Sequence, residues 1–246
     1  MKENKYDEPS FFEQYGKMSR SQKGLDGAGE WHVLKEMLPD FEGKEVLDLG
    51  CGYGWHCRYA IENGAISAIG IDISEKMLQR AKEINQLSGI KYEQIALEDA
   101  RFSPETFDVV ISSLTLHYIQ SYDILVSRIY QWLKPGGRFI FSVEHPVFTA
   151  AGSQDWIYNK AGDKSHWPVD RYFFEGKRKT SFLGENVLKY HRTVSTYLNV
   201  ILKQGFKIVE VNEPIPNDEM LKTIPEMNDE LRRPMMLLIS VEKKQF

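Results

Sequence analysis

The segment Val46-Leu47-Asp48-Leu49-Gly50-Cys51-Gly52-Tyr53-Gly54 constrains this chain more than any other. An apolar run carrying one acid gives way to glycines spaced G-x-G-x-G. The run has the length and composition of a buried strand, and the glycines let the backbone turn sharply and approach a ligand closely. Helical periodicity follows over Trp55–Asn63, so the unit is strand, glycine turn, helix. The alternation continues. Ile66–Ile71 is a second strand ending at Asp72, and Ser74 is a good N-cap for a helix through Met77, Leu78, Ala81 and Ile84. Tyr92–Ala96 is a weaker third strand. Phe107–Ser112 is almost continuously apolar, as a strand covered on both faces should be. Tyr122–Leu133 is helical and is stopped by Lys134-Pro135-Gly136-Gly137, after which Arg138–Val143 is a fifth strand.

Strands alternating with helices predict an α/β fold, a doubly wound, Rossmann-like parallel sheet. Ligands of such sheets bind outside the carboxyl ends of the strands. The residues expected there are Asp48, Asp72, Asp99, Ser112 and Glu144. At 246 residues and 42% hydrophobic, the chain can bury the core of one domain. Within it, residues 1–42 are expected as a helical cover, 43–149 as the ligand-binding core, 150–184 as an insertion over the strand ends with no clear strand or long helix, and 185–246 as the completion of the sheet. In the last part Glu185–Gln204 is expected to be helical with Gly205 as its C-cap, and Lys207–Asn212 and Met235–Val241 to be strands.

The details of the glycine loop discriminate between nucleotides. A dinucleotide fingerprint places its third glycine at position 55, which is Trp55. Asp48, two residues before the first glycine, would repel a pyrophosphate but suits a ligand with an ammonium and a sulfonium. Asp72, at the end of the second strand, stands where a carboxylate binds ribose hydroxyls. This last feature is shared with nicotinamide-binding folds and argues for a nucleoside rather than for one cofactor. The residues favour S-adenosylmethionine over a nicotinamide dinucleotide.

These motifs resemble those of the class I S-adenosylmethionine-dependent methyltransferases, in the small-molecule group that includes the ubiquinone-biosynthesis C-methyltransferases. The resemblance covers roughly residues 43–147. Besides the glycine loop it rests on Phe107-Asp108-Val109-Val110-Ile111-Ser112 and Leu133-Lys134-Pro135-Gly136-Gly137-Arg138-Phe139. It implies a seven-stranded sheet with the last strand antiparallel. It also implies that Asp48, Gly50, Cys51 and Gly52 hold the methionine part of the cofactor and that Asp72 binds the ribose. Ile73 would pack on the adenine, with Met77 beside it, and the stretch Glu98-Asp99-Ala100 would place Asp99 near the adenine amino group. Ser113 and the N-terminal Tyr15, Met18, Arg20 and Trp31 are further candidates to cover the site; helix packing is an equal alternative for the N-terminal group. S-adenosylhomocysteine is the expected product.

Three histidines are candidate general bases: His117 after the fourth strand, His191 at the start of the late helix, and His145, the preferred one, after the fifth strand. Each has a structural alternative. Arg171 and Arg192 can bind an acidic substrate group or make surface ion pairs. The stretch from Ala150 to Gly176 holds Trp156, Tyr158, Trp167, Tyr172, Phe173 and Phe174, either a satellite core or a wall for an apolar or aromatic acceptor.

The residues after the fourth strand, Ser112-Ser113-Leu114-Thr115, exclude several chemistries. They lack the acid or Asn, paired prolines and aromatic of amino-group methylation on bases or glutamine. They also lack the carboxylate of metal-dependent catechol enzymes and the glutamate pair of protein arginine methylation. No metal site is expected. Neither Cys51 nor Cys57 follows a proline, as a cytosine C5 nucleophile does. The net charge of -4 argues against nucleic acid as a partner. Without an apolar signal segment or a span-length run, and with two unpatterned cysteines, a cytoplasmic location is expected. Direct methyl displacement onto a small organic acceptor is the reading these residues support. A nicotinamide-dependent oxidoreductase and a non-catalytic binding protein on the same fold are the alternatives.

Overall fold

The computed structural model describes residues 4–245. Three short helices come first: α1 (Pro9–Gly16), α2 (Ser19–Gln22) and α3 (Trp31–Met37). The alternating unit then runs β1 (Glu45–Leu49), α4 (Trp55–Glu62), β2 (Ser67–Asp72), α5 (Glu75–Ile84), β3 (Ile90–Gln94), β4 (Phe107–Ser113), α6 (Tyr122–Trp132) and β5 (Leu133–Glu144). After a one-turn α7 (Pro146–Thr149) come two hairpins, β6 (Ile157–Tyr158) with β7 (Lys164–His166), and β8 (Gly176–Phe182) with β9 (Glu185–His191). The chain closes with α8 (Val194–Lys203), β10 (Phe206–Asn212), α9 (Asp218–Thr223), α10 (Met227–Glu230) and β11 (Met236–Lys243).

Seven strands form one sheet in the order β10-β11-β5-β4-β1-β2-β3. The pairs from β3 to β5 are parallel, and β11 is antiparallel to both β5 and β10. This is the doubly wound sheet with an antiparallel last strand that the sequence motifs imply. Each face is sealed by its own apolar cluster. On one, Tyr122, Val126 and Ile129 of α6 and Tyr197 and Ile201 of α8 meet Leu47, Val110 and Phe141. On the other, Leu34 of α3, Cys57 and Ala60 of α4 and Leu78 and Ala81 of α5 meet Val46, Ala68 and Val109. Strands covered on both faces must be apolar along their whole length, which is why β4 was legible as a run rather than as an alternation.

Two expectations fail in the second half. Glu185–His191 is a strand, not the start of a helix: Val187, Lys189 and His191 are buried at period two, and β8 supplies the pairing. The late helix begins only at Val194, where Thr193 Oγ1 caps it by accepting from Thr196 N at 3.1 Å. The segment 150–184, expected to hold no clear strand, contains β6, β7 and β8. The turn joining β8 to β9 is Leu183-Gly184, both with positive φ (52° and 82°), as a two-residue hairpin turn of this hand requires. Leucine is an unusual residue for such a turn, so the hairpin had no local signature.

Candidate active site

The loop after β1 shows why its glycines are there. Gly50, Gly52 and Gly54 all have positive φ. A Cβ on Gly50 would lie 2.4 Å from Thr115, and one on Gly54 would lie 2.1 Å from the Tyr92 hydroxyl. The loop is tied to the next strand: Gly50 N and Cys51 N donate to Ile71 O at 2.9 and 3.0 Å, and Gly52 N donates to Asp72 Oδ2 at 3.0 Å. Asp72 also accepts from Ser74 N at 2.9 Å, so two backbone donors fix its carboxylate at the end of β2. Burial raises its pKa against those donors.

A cavity of about 430 Å³ opens over these strand ends, a size typical of small-molecule sites. It is lined by Gly50, Gly52, Asp72, Ile73, Met77, Leu97 and Glu98. Its lining also includes the apolar and aromatic side chains of Tyr6, Tyr118, Phe182, Val187 and Leu188, with His117, Gln120, Ser121 and Glu144 among the polar ones. Tyr15 and Arg20 close it from the N-terminal segment, and Ser113 lines it from β4. Arg20 is held by a buried partner: its Nη2 lies 2.8 and 2.7 Å from the two oxygens of Glu30, to which Ser113 Oγ also donates at 3.1 Å. Asp7 clasps the segment to α5, accepting from Ser74 Oγ at 2.6 Å and from Lys76 N at 3.1 Å.

Beneath the loop, Asp48 is 1% exposed and burial pushes its pKa up to about 7. Cys57 Sγ reaches its Oδ2 at 3.6 Å, whereas its Oδ1 has no hydrogen-bond partner among the described residues. His56 Nδ1 is 3.9 Å from Oδ2, but burial lowers that imidazole to about 4, so it brings no positive charge. A smaller space of about 70 Å³ adjoins the main cavity, sharing Tyr15, Arg20, Gly50, Gly52 and Ser113 and adding Cys51, Trp55 and His56.

A family model described as a methyltransferase domain matches residues 47–141. A Listeria monocytogenes protein whose crystal structure is assigned to the S-adenosylmethionine dependent methyltransferases is 58% identical. It superposes with a TM-score of 0.86 over 90% of this chain and 100% of that one. The S-adenosylmethionine dependent methyltransferase of Mesorhizobium loti is 45% identical, with a TM-score of 0.83 over 89% of this chain and 100% of that one. An uncharacterized Haemophilus influenzae protein is 34% identical over 97% of this chain and 96% of its own length. The chain belongs to the S-adenosylmethionine-dependent methyltransferases.

The methyltransferase's residues fit that cofactor on two grounds of their own. A carboxylate with an unpartnered oxygen, Asp48, is buried beneath the glycine loop. Asp72 presents a fixed acceptor to a diol. Of the residues expected at the cofactor, Tyr15, Gly50, Gly52, Asp72, Ile73, Met77, Glu98 and Ser113 line the cavity. Asp48 lies under the loop, and Cys51 lines only the smaller space. Asp99 and Ala100 are outside both linings; Ala100 is fully buried in the core, and from this stretch Leu97 and Glu98 line the cavity.

The structure separates the three histidines. His145, the preferred base, lies outside the cavity: its Nδ1 accepts from Val147 N at 3.0 Å as the N-cap of α7, and its Nε2 is 2.7 Å from Glu213. His191 is also elsewhere, its Nδ1 2.7 Å from Thr149 Oγ1 and its Nε2 2.8 Å from Tyr172 O. His117 does line the cavity. Its Nδ1 accepts from Glu144 N at 3.3 Å, and burial lowers its pKa to about 4. A neutral ring whose Nδ1 accepts carries its proton on Nε2, so His117 offers the cavity a donor and no free lone pair.

Other candidates are also placed elsewhere. Arg192 donates to Ile119 O and Gln120 O and stacks 5.3 Å from the Tyr122 ring, pinning the loop after β4. Arg171 is exposed. Trp156 and Trp167 join Phe148 in a satellite core, with Phe148 and Trp167 stacked at 4.9 Å and Arg233 lying 4.2 Å from the Trp167 ring. Phe173 and Phe174 are exposed. The aromatic wall of the cavity comes instead from the N-terminal segment, the β4 loop and the β8–β9 hairpin. Sequence reasoning missed Glu30, Phe182 and Lys189, none of which lies in a recognisable motif.

Proposed function

We propose that this methyltransferase acts on a small organic acceptor with an apolar or aromatic body, bound in the half of the cavity away from Asp72. The observation that carries the reading is that one cavity is lined both by the Asp72 carboxylate and by Tyr118 and Phe182. In this reading Asp72 accepts from the ribose hydroxyls, and Ile73, Met77 and Leu97 enclose the adenine. Gly50 and Gly52 give room to the methionine chain, whose ammonium is matched by Asp48.

The cofactor, when bound, supplies an electrophilic methyl on a sulfonium, whose leaving group is already good. The protein therefore contributes alignment and exclusion of water more than bond activation. The N-terminal segment, clasped through Asp7, and the β8–β9 hairpin both stand over the cavity and supply that exclusion.

Calorimetric titration with S-adenosylhomocysteine, with NADH as a parallel control, tests the site. Binding of the former alone supports it, and turnover of members of a small-molecule library with S-adenosylmethionine then tests the acceptor reading. Binding of NADH alone would overturn it.

A further inference from the structure

Besides Gln120 and Ser121, the cavity lining carries a buried polar constellation around Glu144. Glu144, the last residue of β5, lines the cavity. Its Oε1 lies 2.6 Å from Lys189 Nζ, and its Oε2 accepts from Gln154 Nε2 at 2.7 Å. Lys189 also donates to Gln154 Oε1 at 3.0 Å, and Thr180 Oγ1 donates to the same oxygen at 2.8 Å. Lys189 is 2% exposed, with its ammonium 5.2 Å from the Phe182 ring. The backbone N–H of Glu144 donates to His117 Nδ1, which leaves His117 Nε2–H facing the cavity without a partner among the described residues. A carboxylate acceptor and an imidazole donor thus stand side by side on one wall.

The charges around them are balanced. Glu144 is neutralised by Lys189. Of the other cations on the lining, Arg20 is closed on Glu30 and Lys5 lies 2.7 Å from Glu8. An anionic acceptor group would meet the Glu144 carboxylate with no uncommitted cation to offset it. A cationic group would meet Lys189 directly behind that carboxylate. Either would also lose its hydration among Tyr118, Phe182 and Val187, at a cost that a fully paired site does not repay.

We propose that Glu144 and His117 form the acceptor's polar anchor, and that the acceptor is a neutral molecule presenting a hydroxyl on an apolar body. The hydroxyl donates to a free lone pair of Glu144 and accepts from His117 Nε2–H. Lys189 and Gln154 are positioning residues, because they fix Glu144 without lining the cavity. The inference rests on the small-molecule methyltransferase reading and adds the class of acceptor group.

The test uses the full chain saturated with S-adenosylhomocysteine and three probes of similar size: 4-methylphenol, 4-methylbenzylammonium and 4-methylbenzoate. Calorimetry is expected to show 4-methylphenol binding about ten-fold tighter than either charged probe, since a charged group here lacks a counter-charge. Glu144→Gln and His117→Phe should each weaken 4-methylphenol by about ten-fold, the loss of one buried hydrogen bond, while S-adenosylhomocysteine affinity changes by less than about two-fold. Because Glu144→Gln leaves Lys189 unpaired, the double variant Glu144→Gln/Lys189→Met serves if the single one fails to fold. A charged probe that binds as tightly as the phenol overturns the proposal. So does phenol affinity that is unchanged in the variants, or absent at millimolar concentration in the wild type. Failure of S-adenosylhomocysteine to bind would instead overturn the reading of the cofactor site on which the proposal rests.

Discussion

Replacing Asp48 with asparagine should change how stability depends on pH in the ligand-free protein. Asp48 is 1% exposed, its Oδ1 is unpartnered among the described residues, and its pKa is raised from 3.8 to about 7. An acid whose folded pKa exceeds its unfolded value binds more protons folded than unfolded between those two values. Stability is therefore lost as pH rises through that window, and the loss is complete above the folded pKa. At about 1.4 kcal/mol per unit the full penalty is about 4 kcal/mol, of which about 2–3 kcal/mol develops between pH 5 and pH 8. Asparagine keeps the shape and carries no charge, so Asp48→Asn removes that slope. Urea unfolding of both proteins at pH 5 and pH 8 reads it directly: the variant should gain about 2–3 kcal/mol on the wild type over the interval. S-adenosylhomocysteine should give the reverse pattern. An ammonium against Asp48 favours the ionised carboxylate, so affinity should rise with pH in the wild type and not in the variant. Stability curves that stay parallel would refute the assignment of a buried, uncompensated carboxylate under the glycine loop.

Asp72→Ala removes the proposed ribose acceptor and two backbone tethers, so S-adenosylhomocysteine affinity should fall by about 1.5–3 kcal/mol in calorimetry. Unchanged affinity would leave Asp72 as a tether of the loop only. His145→Ala removes the N-cap acceptor of α7 and should cost about 1 kcal/mol in denaturant unfolding, with S-adenosylhomocysteine affinity intact. Turnover slowed with stability intact would return His145 to the list of reacting groups.

The glycine loop, the acids beside it and the apolar runs of β1, β2, β4 and β5 were readable because each signal is local. Strands buried on both faces must be apolar, a turn at positive φ selects glycine, and Lys134-Pro135-Gly136-Gly137 cannot continue a helix. Those features determined the sheet and the family, and they include Gly50, Gly52 and Asp72 of the cavity lining. The rest of the cavity lining was not local. Glu185–His191 is a strand only because residues Gly176–Phe182 return to pair with it, and its burial at period two has no meaning without that partner. His117, His145 and His191 carry similar sequence signals, and only packing decided that the first faces the cavity while the others cap a helix and bond Thr149 and Tyr172. Lys189 would pass for a solvated lysine until Glu144, 45 residues earlier, comes within 2.6 Å of it. The sequence alone determined the cofactor-binding frame, because turn geometry and strand burial restrict residue type position by position. Tertiary structure decided the buried Glu144–Lys189 pair and the lining around it, because a buried charge is tolerated only where a distant partner and the packing around it are both in place.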